Sequence, residues 1–181
     1  MALFKRSDLI KEANDNRLSK SMVESNFIKL AGIKKSYDIF LSHSFLDAIE
    51  VETLKSKIET LGYSVYVDWL EDSFDRENVT QETAEIIKRR MENCKCLLYA
   101  TSKNSKASKW MPWELGFFDG RKEKVAILPV IDDINGQTQF KGQEYLTLYP
   151  YVDIATIEGS SEFQLWINTS DGGNKVLKSW I

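Results

Sequence analysis

Apolar residues along this chain recur with two periods. Over residues 7–31 they fall at Leu9, Ile10, Ala13, Leu18, Met22, Phe27, Ile28 and Leu30, the spacing of an amphipathic helix, and the polar run Asn14, Asp15, Asn16 predicts a break between two short helices. From Tyr37 the pattern changes to apolar runs of four to seven residues, each followed by an amphipathic stretch. That alternation predicts a parallel sheet covered by helices on both faces, an α/β fold. The runs at 37–41, 64–68, 96–100 and 125–130 read as strands, with a weaker fifth at 151–154. Between them, Ala48, Val51, Leu54, Ile58 and Leu61 mark a helix stopped by Gly62, residues 83–91 a second with Ala84, Ile87 and Met91 on one face, and residues 110–120 a third. Pro129 cannot donate to a ladder and predicts a strand end or an edge position.

No repeat or low-complexity linker divides the 181 residues, and 43% hydrophobic with 28% charged residues suits one compact domain. The expected organisation is a helical lead-in over 1–35 and a main body with a C-terminal extension over 36–181. With 24 Lys and Arg against 27 Asp and Glu the net charge is -3, so there is no positive field for nucleic acid or an anionic membrane. The longest apolar run, 125–131, contains a proline and falls far short of the roughly 20 residues that cross a bilayer. Lys5, Arg6, Asp8, Lys11 and Glu12 occupy the place of a secretory signal's apolar core, so a cytoplasmic location is expected. Cys94 and Cys96, two apart at a strand start, are expected to point the same way as reduced, buried small hydrophobes. A zinc site takes about four ligands, and the single histidine, His43, is far away in sequence. No metal site and no cofactor are expected.

In an open sheet of this kind a ligand crevice lies beyond the carboxyl ends of the strands, which directs attention to the loops after Leu41, Asp68, Ala100 and Val130. The first offers Ser42, His43 and Ser44 at a strand tip where helix amides also point outward, a cradle for phosphate or ribose. Ser44 equally reads as a helix N-cap with Asp47 as its acidic partner. The second loop, 69–78, carries four carboxylates, Arg76, Trp69 and Phe74. It reads either as a solvated acidic loop or as a lid or partner-binding element. The third helix opens Trp110, Met111, Pro112, Trp113, Glu114, so Trp110 and Glu114, four apart, share a face. Pro112 belongs in a first turn, which brings Glu114 toward the helix N-terminus and its dipole, favouring an ionised carboxylate. By itself that pair also reads as a core tryptophan beside an ordinary acidic residue.

Four segments together change the balance. Tyr-Asp-Ile-Phe-Leu-Ser-His-Ser at 37–44, Tyr-Ser-Val-Tyr-Val-Asp at 63–68, Cys-Leu-Leu-Tyr-Ala-Thr-Ser at 96–102 with Ser105, and Lys-Trp-Met-Pro-Trp-Glu-Leu at 109–115 followed by Val-Ala-Ile-Leu-Pro-Val-Ile at 125–131 resemble a TIR (Toll/interleukin-1 receptor) domain over roughly residues 36–155. The resemblance implies a flavodoxin-like fold with a central five-stranded parallel sheet. It also implies an NAD glycohydrolase in which Glu114, the glutamate of W-x-x-x-E, is catalytic and Trp110 lines the nicotinamide side. Ser42, His43 and Ser44 would flank the nucleotide, with Asp68 and Trp69 at the second strand end. Many TIR enzymes carry aromatic or basic residues after the first-strand serine; with His43 and Ser44 here, phosphate contacts would fall to backbone amides. A TIR chain without receptor or repeat domains is similar to the bacterial Thoeris type of anti-phage defence. Those proteins turn NAD into a cyclic ADP-ribose isomer that activates a separate effector, and TIR enzymes generally self-associate. The alternative is a non-enzymatic TIR adaptor or virulence protein acting through TIR–TIR binding, a class that tends to lack the glutamate.

Overall fold

The computed structural model describes residues 2–20, 36–71, 80–131 and 144–181. The chain opens with a two-residue strand, β1 (Phe4–Lys5), and a helix, α1 (Arg6–Lys20). The α/β alternation then runs β2 (Tyr37–Ser42), α2 (Ala48–Thr60), β3 (Val65–Tyr66), α3 (Asp68–Glu71), α4 (Gln81–Glu92), β4 (Cys94–Thr101), α5 (Trp110–Lys122) and β5 (Val125–Ile131). It closes with β6 (Tyr151–Thr156), β7 (Phe163–Asn168), β8 (Asn174–Val176) and the short α6 (Leu177–Trp180).

Five strands, in the order β3-β2-β4-β5-β6, pair in parallel, as the alternating pattern predicts. This is the doubly wound order in which the chain reverses direction at β2 and β4, so the crevice between their carboxyl ends is the natural ligand position. The sheet separates two cores. Ile39, Leu41, Val65, Leu98, Ala126 and Leu128 pack with α2, whereas Phe40, Tyr66, Leu97, Tyr99 and Ile127 pack with α4 and α5. Strands buried on both faces read as unbroken apolar runs, the reason they were visible in the sequence.

Several details differ from the sequence expectation. No break occurs at Asn14–Asn16: α1 continues through them to Lys20, because its N-terminal half is anchored by Leu9 in the core and by packing on α2. The second predicted lead-in helix beyond Lys20 lies outside the described residues. The strand expected over 64–68 pairs only at Val65 and Tyr66, and Asp68 instead starts α3. Pro129 lies in the interior strand β5, not at an edge. It falls where one side of β5 changes partner, between the register with β6 at Ile127 and that with β1 at Val130 and Ile131, so its missing N–H interrupts little. The antiparallel strands β7 and β8 extend the sheet beyond β6 and were not foreseen.

The helix stop at Gly62 is as expected: it adopts φ +88° directly after the α2 C-cap, a conformation that costs glycine nothing. Cys94 and Cys96 are both buried and unbridged, but they join opposite cores instead of sharing one. Burial pushes the Cys94 thiol up to about 12 and that of Cys96 higher still. Among the described residues, no helix is long and apolar enough to cross a membrane.

Candidate active site

β2 delivers Ser42 to the carboxyl end of the sheet, and α5 crosses behind it. The two meet where Ser42 Oγ donates to Glu114 Oε2 at 2.6 Å, both residues almost fully buried at 1% and 4% exposure. Pro112 sits in the first turn of α5, as its missing N–H requires. Glu114 is the fifth helical residue, just past that turn, where the dipole has faded. The Ser42 hydroxyl therefore supplies the directed stabilisation that the helix end does not. Tyr99, on the same core face of β4, interacts electrostatically with Glu114 and shares a hydrogen bond with Tyr145; burial, then Tyr145, then Glu114 raise its pKa. Neither tyrosine stood out in the sequence, since Tyr99 falls inside an apolar run and Tyr145 in a segment without periodicity.

His43 takes the opposite side of the sheet. Its Nδ1 lies 2.9 Å from the Leu41 carbonyl, which can only accept, and its Nε2 lies 2.9 Å from Trp69 Nε1, which can only donate. Those two partners set a neutral ring with the proton on Nδ1. Asp68 Oδ1 stands 3.7 Å from Nε2, and the Trp69 indole meets Phe45 edge-to-face at 6.5 Å. Beneath His43 lies a void of about 10 Å³, bounded by residues including Asp47, Glu50, Val51 and Ser102, with room for no more than one water.

Ser44 is buried and precedes a 3-10 turn, Phe45–Asp47, but its side chain makes no cap bond. The cap pairing read from the sequence therefore does not form. Asp47 turns instead toward the loop after β4, accepting from Ser102 Oγ and, at 2.6 Å, from Asn104 Nδ2.

Trp110 begins α5, half-buried, and its indole meets Trp113 edge-to-face at 5.2 Å, with Trp113 stacked in turn on Phe117. The structure thus divides the candidate residues. Ser42 and Glu114 come together on the α5 side, and His43, Asp68 and Trp69 form a separate cluster on the α2 side. Residues 72–79 of the acidic loop lie outside the described residues.

A TIR-domain family profile matches residues 39–165, well over half of the chain and ten residues beyond the segment read from motifs. The chain belongs to the TIR-domain family. It is 46% identical, over all of its length and 98% of the relative's, to a Bacillus cereus (strain MSX-D12) protein named probable 3' cyclic ADP-D-ribose synthase ThsB'. It is also 30% identical over 117 residues, 64% of this chain, to a Cytobacillus dafuensis protein named putative cyclic ADP-D-ribose synthase TIR2, of which it spans 30%. Among solved structures, the TIR domain of the Toll-related receptor TRR-2 from Hydra magnipapillata aligns with 64% of this chain and 82% of its own, at a TM-score of 0.46 and 19% identity. The similarity to the Bacillus protein therefore covers the lead-in and the C-terminal strands as well as the segment matched by the TIR profile.

Proposed function

We propose that this TIR protein cleaves the nicotinamide–ribose bond of NAD+ and closes the ADP-ribose into a cyclic product, with Glu114 as the catalytic carboxylate. The observation that carries the reading is the buried Glu114 carboxylate, held by Ser42 at the carboxyl end of the sheet. The names of the two bacterial relatives supply the reaction class.

The C–N bond breaks with its electron pair leaving on nicotinamide, which departs neutral and needs no general acid. The ribose is left with positive charge, which a fixed carboxylate in a low-dielectric site offsets strongly. Capture by water gives linear ADP-ribose. Capture by a nucleophile of the same molecule gives the cyclic form and releases one proton. Exclusion of bulk water from the bound dinucleotide favours the second outcome. On this reading NAD+ is substrate, not cofactor. Trp110 would face the nicotinamide, with Ser44 and the loop amides near the phosphates. The cyclic product would act on a separate effector in bacterial antiviral signalling, and the enzyme would work as a TIR–TIR assembly in the cytoplasm.

The test is nicotinamide release from NAD+ by concentrated protein, with mass spectrometry separating cyclic from linear ADP-ribose. Glu114→Gln is expected to lower kcat by about 100-fold or more. Equal release from that variant would overturn the role of Glu114.

A further inference from the structure

The buried acidic pair behind the site is completed from the N-terminal lead-in. Asp47 and Glu50, three residues apart at the start of α2, are each 5% exposed. Two carboxylates on one helical turn repel each other when removed from water, and a buried charge is tolerated only when paired. The positive charge comes from Arg6, the first residue of α1, whose Nε donates to Glu50 Oε1 at 2.6 Å and whose guanidinium reaches within 3.8 Å of Asp47 Oδ1. Arg6 is itself held at depth: β1 pairs with the end of β5, and Lys57 of α2 ion-pairs with Glu12 of α1.

Asp47 then links two loops of the crevice. It accepts from Ser102 Oγ and Asn104 Nδ2, Ser102 Oγ accepts from the Asn104 amide at 3.0 Å, and Ser105 Oγ closes on the Ser102 carbonyl at 2.8 Å. An ion pair from Arg6 to Asp47 thus leads into charge-assisted hydrogen bonds from Asp47 to Ser102 and Asn104 in the loop after β4, with His43 bordering the same small void.

On this geometry we infer that Arg6 is a positioning residue for substrate binding: the lead-in sets the relative placement of the loops after β2 and β4 by neutralising the Asp47–Glu50 pair. The inference rests on the proposed NAD+ reaction for its kinetic readout. Glu114 is held by Ser42 on the α5 side of the sheet, whereas Arg6 acts on the α2 side, so the reacting carboxylate keeps its own hydrogen bond when Arg6 is lost.

The decisive variant is Arg6→Gln, assayed for NAD+ cleavage and, separately, for amide hydrogen exchange. Loss of loop placement is expected to raise KM about fivefold or more with kcat within about twofold, since misplaced binding groups weaken ground-state and transition-state binding alike. A merely structural role would instead leave fewer folded molecules, lowering apparent kcat at unchanged KM. Arg6→Gln/Glu50→Gln removes one of the two carboxylates, and with it the repulsion on Asp47, and is expected to restore KM to within about twofold. Exchange at residues 102–108 should be faster in Arg6→Gln and return toward wild type in the double variant. That measurement needs no turnover, so it decides the coupling even if Glu114→Gln shows that the chain does not cleave NAD+. Unchanged KM and unchanged exchange in a folded Arg6→Gln protein would overturn the inference, as would a kcat-only loss.

Discussion

At the scale of single residues, the proposed chemistry turns on a 2.6 Å hydrogen bond to a buried carboxylate. Ser42→Ala deletes the donor and leaves one oxygen of Glu114 without that partner at 4% exposure, a change costing about 1–3 kcal/mol where the charge resides. On the proposed reaction the charge of Glu114 acts against the ribose cation, so kcat is expected to fall about tenfold or more while KM changes little. Steady-state kinetics on the folded variant check this, and a KM effect alone would assign Ser42 to substrate binding instead. Glu114 was legible as a candidate in the sequence because its spacing from Trp110 and the family motif coincide. The separation of His43 from it was not. Ser42 and His43 are adjacent on a strand, and alternation sends adjacent side chains to opposite faces, so a tip read as one cradle becomes two half-sites. The bond of His43 to Trp69 depends on α3, which the strand reading of 64–68 concealed.

At the scale of elements, the parallel ladder was predictable because buried strands carry continuous apolar runs, whereas the C-terminal antiparallel pair was not. Phe163, Gln164, Leu165, Trp166, Ile167 and Asn168 alternate only weakly, and β8 is three residues long. Pairing with β6 creates those strands more than local propensity does. The beginnings of β2, β3 and β4 are fastened by a polar clasp the apolar pattern could not reveal. Asp38 accepts from the Ser64 amide at 2.9 Å and the Ser64 hydroxyl at 2.7 Å, and pairs with Lys95 at 2.9 Å. Burial pushes its pKa up, but the hydrogen bonds from Lys95 and Ser64 and the lysine charge outweigh that and hold it at about 2. A carboxylate whose folded pKa lies below its unfolded value of 3.8 stabilises the fold above about pH 4, and that contribution fades as pH falls through 2. Asp38→Asn is therefore expected to cost about 1 kcal/mol at pH 7, after allowance for solvent screening. The gap from wild type should narrow at pH 2.5. Urea midpoints at the two pH values measure both, and a gap that persists in acid would mean packing, not charge, carries the effect.

At the scale of the whole molecule, the site is closed in the isolated chain while large apolar side chains stand in water beside it. Phe45, Leu46 and Leu70 are 57%, 65% and 39% exposed around the loops after β2 and β3, close to Trp69. Exposed apolar groups gathered at one end of a sheet favour association, and a net charge of only -3 opposes it weakly. On the proposed reaction Glu114 meets a dinucleotide only once its surroundings open, and contacts between copies at those loops would supply the energy by binding the open form better than the closed one. Specific activity is then expected to rise with protein concentration, so that total rate climbs faster than linearly until assembly saturates. Leu46→Asp places a charge in the exposed apolar group without touching Ser42 or Glu114, and should flatten that rise and lower the plateau at any given concentration. Rate assays across a dilution series, run beside sedimentation of the same samples, couple activity to assembly directly. A rate strictly proportional to concentration down to the dilute monomer would mean that one chain opens its own site, and would return the exposed apolar end to a role outside catalysis.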